Sequence, residues 1–523
     1  MEVVLEMSGA MNTIRKIFAP KDMCQGTPWK RIAEFAFPML IGNFAQQLYS
    51  TVDAIVVGKS EWGANGLAAV GNAGPVINLL LALFVGISTG AGILVSQYFG
   101  ARDRERLSKT IGNCISVTLL ACIVIMIVGP IITGPMLKAM GTSDVLYQQS
   151  KAYLDITFIG IAGFFFYNIF SGVLRGLGDS ISALGFLMLT SLINIILDLL
   201  LVENMGVAGV ALATVIAQVI SAVLCLWKLL LMKNLFTIEK DSLRMEKKVI
   251  GDIARLGLPS GITQAIFSLA MMVVQSLINS FPGTVTGTAE DGAPIIVMLF
   301  VACNVMVMRV DGYAMLPNFS FGQAMGTYAG QNIGAKRIDR LESGTKQGLA
   351  MALITALVLT PVILLCGPFL MNLFCGTESY ADELINMAMN MMFILAVGYI
   401  AMAVTQVLSG VMRGAGDTMT PMWISFVTTV LLRVPLAYAL VHLTIPRWAK
   451  DACPGQSLKQ IMQYIVDNGG SVALQQKMVF VSLLCAWLIG ALVTGIVYLR
   501  GSWKKKQVNA IELELKNTSD QKN

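Results

Sequence analysis

Two carboxylates lie deep in apolar sequence, and their neighbours suggest ion chemistry. Asp53 shares a helical face with Gln46 and Tyr49, at steps of three and then four residues. Asn194 and Asp198 are four apart, as are Thr214 and Gln218, so each pair stacks on one helix face. An ionisable side chain inside a membrane span is costly and is a functional candidate by default. If the three stripes converge, one pocket holds two carboxylates, three amides and two hydroxyls. Such a set can carry a proton or offer oxygen ligands to Na⁺. The structural alternative is a group of unrelated polar residues satisfied between helices, a costlier arrangement for carboxylates than for amides or hydroxyls.

Other chemistries lack their residues. There is one histidine, His442, so metal centres and triads built on several histidines are excluded. The nine cysteines are scattered and form no Cys-x-x-Cys pair, so neither a disulfide framework nor a zinc site is expected. No clustered nucleophile and base suggests an enzyme, and no cofactor is expected.

The elements that must position the acids are membrane helices. Of 523 residues, 55% are hydrophobic and 13% charged, with a mean hydropathy of +0.70. Soluble domains carry about 25% charged residues. The net charge of +6 is small and the basic residues sit in short clusters, which argues against nucleic-acid binding. Twelve apolar stretches, each long enough to span, fall near 32–57, 65–98, 111–137, 152–174, 181–202, 206–231, 252–281, 293–332, 346–374, 381–411, 418–443 and 478–500. All are expected to be helical, because a span must satisfy its own backbone. The eighth reads either as one long helix or as two pieces, with Asp311 and Arg309 pairing at a helix end.

Twenty-eight Lys and Arg fall on the side of the N-terminus and seven on the other, with Arg309 and Arg433 inside spans. That asymmetry predicts cytoplasmic termini. Trp29, Trp227 and Trp503 fall where interfacial anchors belong. The first 31 residues show no cleavable signal.

The halves repeat. Ser171-Gly172-Val173-Leu174-Arg175-Gly176-Leu177-Gly178-Asp179 returns as Ser409-Gly410-Val411-Met412-Arg413-Gly414-Ala415-Gly416-Asp417, 238 residues later. Gly100-Ala101-Arg102 returns as Gly334-Ala335-Lys336, 234 residues later, and Gly134-Pro135 and Gly141-Thr142 as Gly367-Pro368 and Gly376-Thr377. Pro38 matches Pro259 with a shift of 221, so the second half holds about 13 extra residues before its Gly-Ala loop. Two six-helix halves of equal direction imply a pseudo-two-fold axis along the membrane normal, and transporters commonly bind substrate at such an interface. The Arg-Gly-x-Gly-Asp segments read as tight turns closed by Arg–Asp pairing, with a gating latch as the alternative.

The polar residues are not repeated. A shift of 238 maps Asn194 and Asp198 to Leu432 and Leu436, with Arg433 and Pro435 in that window. Arg433 could meet a counter-charge, bind a lipid phosphate or snorkel. The long loop 444–477 is too polar to span.

Together the Pro-x₁₄-Asp first helix, the Gly-Ala-basic loops, the Gly-Pro…Gly-Thr segments and the Arg-Gly-x-Gly-Asp turns resemble the multidrug and toxic compound extrusion (MATE) transporters. The branch typified by the DNA-damage-inducible transporter is the most similar. The resemblance implies an all-α membrane protein of twelve helices in two pseudo-symmetric bundles. It would export cationic amphipathic drugs in exchange for H⁺ or Na⁺ by rocking of the bundles. It also implies a cation-coupling site at Asp53, Asn194, Asp198 and Thr214, a substrate lining of Gln46, Tyr49, Asn168 and Gln218, and a helix bend at Pro38. The functional Glu of two other branches is missing from the seventh helix, which reads Ile266-Phe267-Ser268.

The expected divisions are a cytoplasmic segment 1–31, an N-lobe 32–231, a linker 232–251, a C-lobe 252–500 with an extracytoplasmic loop 444–477, and a cytoplasmic tail 501–523. The expected setting is a bacterial plasma membrane, with the chain a monomer among lipids and small organic cations as partners. The alternative within this architecture is a flippase for lipid-linked oligosaccharide or peptidoglycan precursors. Such a protein should line its cavity with Arg or Lys.

Overall fold

The computed structural model describes residues 20–59, 63–139, 142, 144–288, 294–375, 381–501 and 503–504; side chains at 49–76, 78–80, 83, 139, 144–145, 284–288, 294–297 and 373–375 are not described. Tyr49 and Asp53 therefore lie outside the described side chains, as do Gly141, Gly376 and Thr377 of the repeat.

The first bundle comprises α1 (Pro28–Lys59), α2 (Gly63–Gly100), α3 (Arg104–Ala139), the bent pair α4 (Asp144–Ile159) and α5 (Ile161–Gly176), α6 (Ser180–Met205) and α7 (Val207–Leu230). The second holds α8 (Lys247–Ile278), α9 (Leu299–Gly334), α10 (Ile338–Cys375), α11 (Ala381–Gly414), the broken helix α12 (Met419–Phe426) and α13 (Arg433–Leu443), and later α16 (Ala473–Arg500). Among the described residues nine helices are long and apolar enough to cross a membrane, and the pair α4–α5 forms a tenth span bent by 51°. The bend falls at Gly160, which packs against Val215 with no room for a side chain. With α1 and α2, of 32 and 38 residues, the twelve-helix architecture is complete. α9 is one continuous helix through Pro317, not two pieces. Leu119, Leu120, Ile123, Ile127 and Ile131 of α3 point outward, an apolar face suited to lipid.

Two insertions decorate the face away from the N-terminus. The extra residues of the second half form a two-stranded hairpin, β1 (Thr284–Thr288) against β2 (Pro294–Val297), antiparallel with Thr284 opposite Val297. It is a small addition to an all-α architecture. The polar loop after α13 folds into α14 (Arg447–Ala452) and α15 (Leu458–Asp467). A capping box, Ser457 with Gln460, starts α15, whose Ile461, Met462 and Ile465 join the core of the second bundle.

The repeat is visible in the backbone. Arg102 and Lys336 both take a left-handed φ, at 57° and 59°, and Gly178 and Gly416 do so at 86° and 91°. The first helix of each bundle crosses to the other. Ile32, Phe35 and Met39 of α1 pack with Phe321, Tyr328 and Leu341, while Ile253 and Leu256 of α8 pack with Ile93, Leu107 and Ile111. On the face carrying the N-terminus, here called the basic face, α2 and α9 cross so closely that a Cβ on Gly100 would stand 1.9 Å from the Gln331 carbonyl oxygen. One on Gly334 would stand 1.9 Å from that of Gln97. Small residues let membrane helices approach this far, where dispersion and polar contacts replace the hydrophobic drive of water.

Candidate functional site

On α6, Thr190, Asn194, Asp198 and Val202 are buried at steps of four, one stripe along the helix. Asn194 is 1% exposed and Asp198 0%. The stripe faces α7, where the Ser221 hydroxyl donates to the Thr190 hydroxyl at 2.6 Å. Because α6 and α7 run antiparallel, that bond fixes their register. Stepping outward from it brings Asn194 level with Gln218 and Asp198 level with Thr214. Among the described residues Asn194 finds no hydrogen-bond partner at either side-chain atom, and the buried Gln218 Oε1 finds no donor. Asp198 and Thr214 each engage a further neighbour. The result is a row of oxygens, buried on α6 and half-buried on α7, able to accept a proton or a small cation. Thr190 and Ser221 extend the row; the four-residue step back from Asn194 was the available signal for Thr190.

The other expected residues separate. α1 packs along α6, Gln46 is exposed, and α1 runs unbroken through Pro38. Asn168 is on α5, where its amide donates to the Phe164 carbonyl and its own carbonyl accepts from Ser88. Among the described residues no cluster of three or more His, Cys, Asp or Glu could hold a metal ion.

The equivalent helix of the second bundle is interrupted by a π segment, Val427–Leu432, between α12 and α13. Pro435 has no N–H to donate to the preceding turn, and a π segment is one way to absorb that loss. The segment adds one residue, so the repeat shift becomes 239 beyond it. Buried Arg433, Ala437 and Val441 then occupy the places of Asn194, Asp198 and Val202. This corrects the mapping to Leu432 and Leu436: an arginine stands where the first bundle has its asparagine. Asp311 is corrected too. It lies well inside α9, not at a helix end, and the Tyr399 hydroxyl and Arg433 guanidinium face its carboxylate.

Between the bundles the described residues enclose a cavity of about 260 Å³. Its wall includes Asn168, Arg175 and Ser96 from the first bundle and Phe319, Arg413, Arg433 and Trp487 from the second. Asn194, Asp198, Thr214 and Gln218 are not on that wall, so the acidic stripe and the cavity are separate places. The two repeated turns also differ from expectation. Asp179 caps α6, accepting from the Ser182 N–H at 2.9 Å and its hydroxyl at 2.7 Å, and meets Lys228 at 3.6 Å. Asp417 accepts from the Thr420 hydroxyl at 2.8 Å. Neither turn arginine pairs with its aspartate: each lines the cavity, Arg175 donating to Ser171 and Arg413 to the Ser409 carbonyl.

The MatE family pattern matches residues 38–200 and 259–439. Among curated relatives, the "Probable multidrug resistance protein YoeA" of Bacillus subtilis is 29% identical over 83% of this chain and 91% of its own. "DNA damage-inducible protein F" of Escherichia coli is 26% identical over 66% of this chain and 72% of its own. Among solved structures, an outward-facing multidrug resistance MATE transporter of the MOP superfamily superposes with a TM-score of 0.79. It is 23% identical and covers 92% of this chain and 98% of that one.

Proposed function

Because this chain belongs to the MatE family of multi-pass membrane transporters, we propose that it is a secondary antiporter that exports cationic amphipathic drugs in exchange for H⁺ or Na⁺. Both termini lie in the cytoplasm, as the 28-to-7 distribution of basic residues argues. The observation that carries the coupling role is the fully buried Asp198, stacked on Asn194 and level with Thr214 in the first bundle. Asp53, on a helix packed along α6, completes the set.

The driving ion must bind the two access states unequally, or nothing moves. A carboxylate in an apolar bundle supplies that inequality, since its charge is tolerable only with a proton, a cation or water beside it. With Na⁺ as the ion, the oxygens of Asp53, Asn194, Asp198 and Thr214 hold it; with H⁺, the two carboxylates share it. Pro38 gives α1 a place to bend between states, because one backbone hydrogen bond is already missing there. The monomer is the working unit.

The test is ethidium efflux from membrane vesicles under an imposed pH gradient and, separately, an imposed sodium gradient. Asp198→Asn and Asp53→Asn should each abolish efflux under both gradients, with protein present at the wild-type amount. Wild-type efflux in either variant refutes the coupling role.

A further inference from the structure

The cavity between the bundles is basic. Three arginines line it, Arg175, Arg413 and Arg433, and no Asp or Glu is among the described residues of its wall. Arg175 and Arg413 are exchanged by the repeat, so they face the cavity from opposite bundles at its basic-face end. Arg433 reaches it from mid-helix. The π segment that brings Arg433 there also puts Thr428 and Thr429 on the wall.

A guanidinium offers five N–H donors in a planar fork. Arg175 spends one on the Ser171 hydroxyl at 2.8 Å. Arg413 makes two long contacts, to the Ser409 carbonyl at 3.3 Å and the Gln406 side chain at 3.5 Å. Arg433 is 5% exposed, its Nε has no acceptor among the described residues, and its terminal nitrogens meet the Met271 sulfur at 3.5 and 3.6 Å. A thioether is a weak acceptor and cannot replace the hydration a buried cation has lost. Asp311 is the acid near Arg433, and it is not on the cavity wall. Among the described residues, Arg175 and Arg413 have no carboxylate in range. Donors therefore remain on all three residues of a wall that also includes Phe267, Phe319 and Trp487.

We infer that this cavity binds an amphiphilic organic anion, its oxyanion drawn to the arginines of the wall and its apolar body against the aromatic side chains. A planar carboxylate or a phosphate matches the fork. The ligand differs in sign from the drugs proposed for export, and its site is separate from the acidic stripe.

The test is equilibrium binding of 7-hydroxycoumarin-3-carboxylate to the purified full chain by fluorescence anisotropy, beside the uncharged congener 7-hydroxycoumarin. No gradient is used, so the result stands apart from the outcome of the efflux experiment. The wild type should prefer the carboxylate at least tenfold. Arg433→Gln and Arg413→Gln should each cut that preference about tenfold, and Arg433→Lys should restore part of it. The congener's own binding reports whether a variant is folded. Equal binding of the two coumarins by the wild type overturns the proposal, as does a preference that survives both glutamine substitutions. In nanodiscs, competition by phosphatidylglycerol assigns the site to a lipid headgroup, and its failure assigns it to a soluble carboxylate.

Discussion

Gln97 and Gln331 are exchanged by the pseudo-two-fold axis, and each reaches across the bundle boundary to the same place in the other bundle. The Gln97 amide donates to the Gly414 carbonyl at 2.9 Å, and the Gln331 amide donates to the Gly176 carbonyl at 3.1 Å. Both acceptors belong to the repeated Arg-Gly-x-Gly-Asp turns. These two bonds latch each turn to the opposite bundle through its glycine carbonyl, not through its charges. A strap from the N-terminal segment covers this latch. The Lys21 N–H bonds the Gly178 carbonyl, the Met23 N–H bonds the Gln331 side chain, and Arg337 and Arg340 hold the Cys24 and Met23 carbonyls.

Cys24 reports on this floor. Its sulfur lies 3.3 Å from the Gln331 carbonyl oxygen, and burial, reinforced by Asp22, pushes the thiol up to about 12. The thiolate is the reactive form, so at pH 8 the closed floor should leave Cys24 almost inert to maleimide. In a chain keeping only this cysteine, Gln331→Ala should speed labelling at least tenfold, because release from burial lowers the thiol toward its usual range. Equal rates with and without Gln331 would show that the latch does not hold the strap.

The glycine crossing should tolerate nothing larger. A Cβ on Gly100 overlaps the Gln331 carbonyl oxygen, a backbone atom that cannot swing aside as a side chain can. Gly100→Ala and Gly334→Ala should each cost the closed state about 1–3 kcal/mol. The measurable result is a wider basic-face separation between spin labels on α3 and α10, with efflux reduced.

Thr190→Val should destabilise the first bundle slightly. It removes the bond from Ser221 without changing side-chain shape much, and such interhelical bonds in membranes average about 0.6 kcal/mol. Unfolding in mixed detergent micelles should show a small loss of this size, and a loss above about 2 kcal/mol would mean that Thr190 supports the acidic stripe in another way.

The folded loop beyond α13 can be tested by its cap. Ser457→Ala breaks the capping box and should cost α15 about 1 kcal/mol. Proteolysis between 453 and 472 should quicken while ethidium efflux stays at the wild-type rate, since none of Asp53, Asn194, Asp198 and Thr214 belongs to the core that α15 joins.

Much of this architecture is legible in sequence because membrane helices must be long, apolar and internally bonded. The duplicated turns and the roughly 13 extra residues between Pro259 and the second Gly-Ala loop could be read directly. The hairpin made by those residues could not, since their composition signals only a longer connection. The partners of arginine and aspartate in the repeated turns were also hidden. Four residues of spacing suggest a pair, yet the left-handed glycine between them sends Asp179 to the next helix cap and Arg175 into the cavity. Asp311 and Arg433 come from helices more than a hundred residues apart, so no local pattern announces them. The stripe of Asn194 and Asp198 was visible because it lies on one uninterrupted helix. Its counterpart was misaligned by one residue because the π segment leaves no compositional mark beyond Pro435.

That single residue carries an implication for how a duplicated protein diverges. One position of an α-helix is roughly 100° of rotation. A π turn is wide enough to take up one added residue, so everything after Val427–Leu432 keeps the face it would otherwise have lost, and the buried positions still fall in step. Two halves of unequal length can in this way keep their equivalent positions aligned. The exchange of an asparagine for Arg433 at such a position then changes the polarity of one half without disturbing how the halves fit.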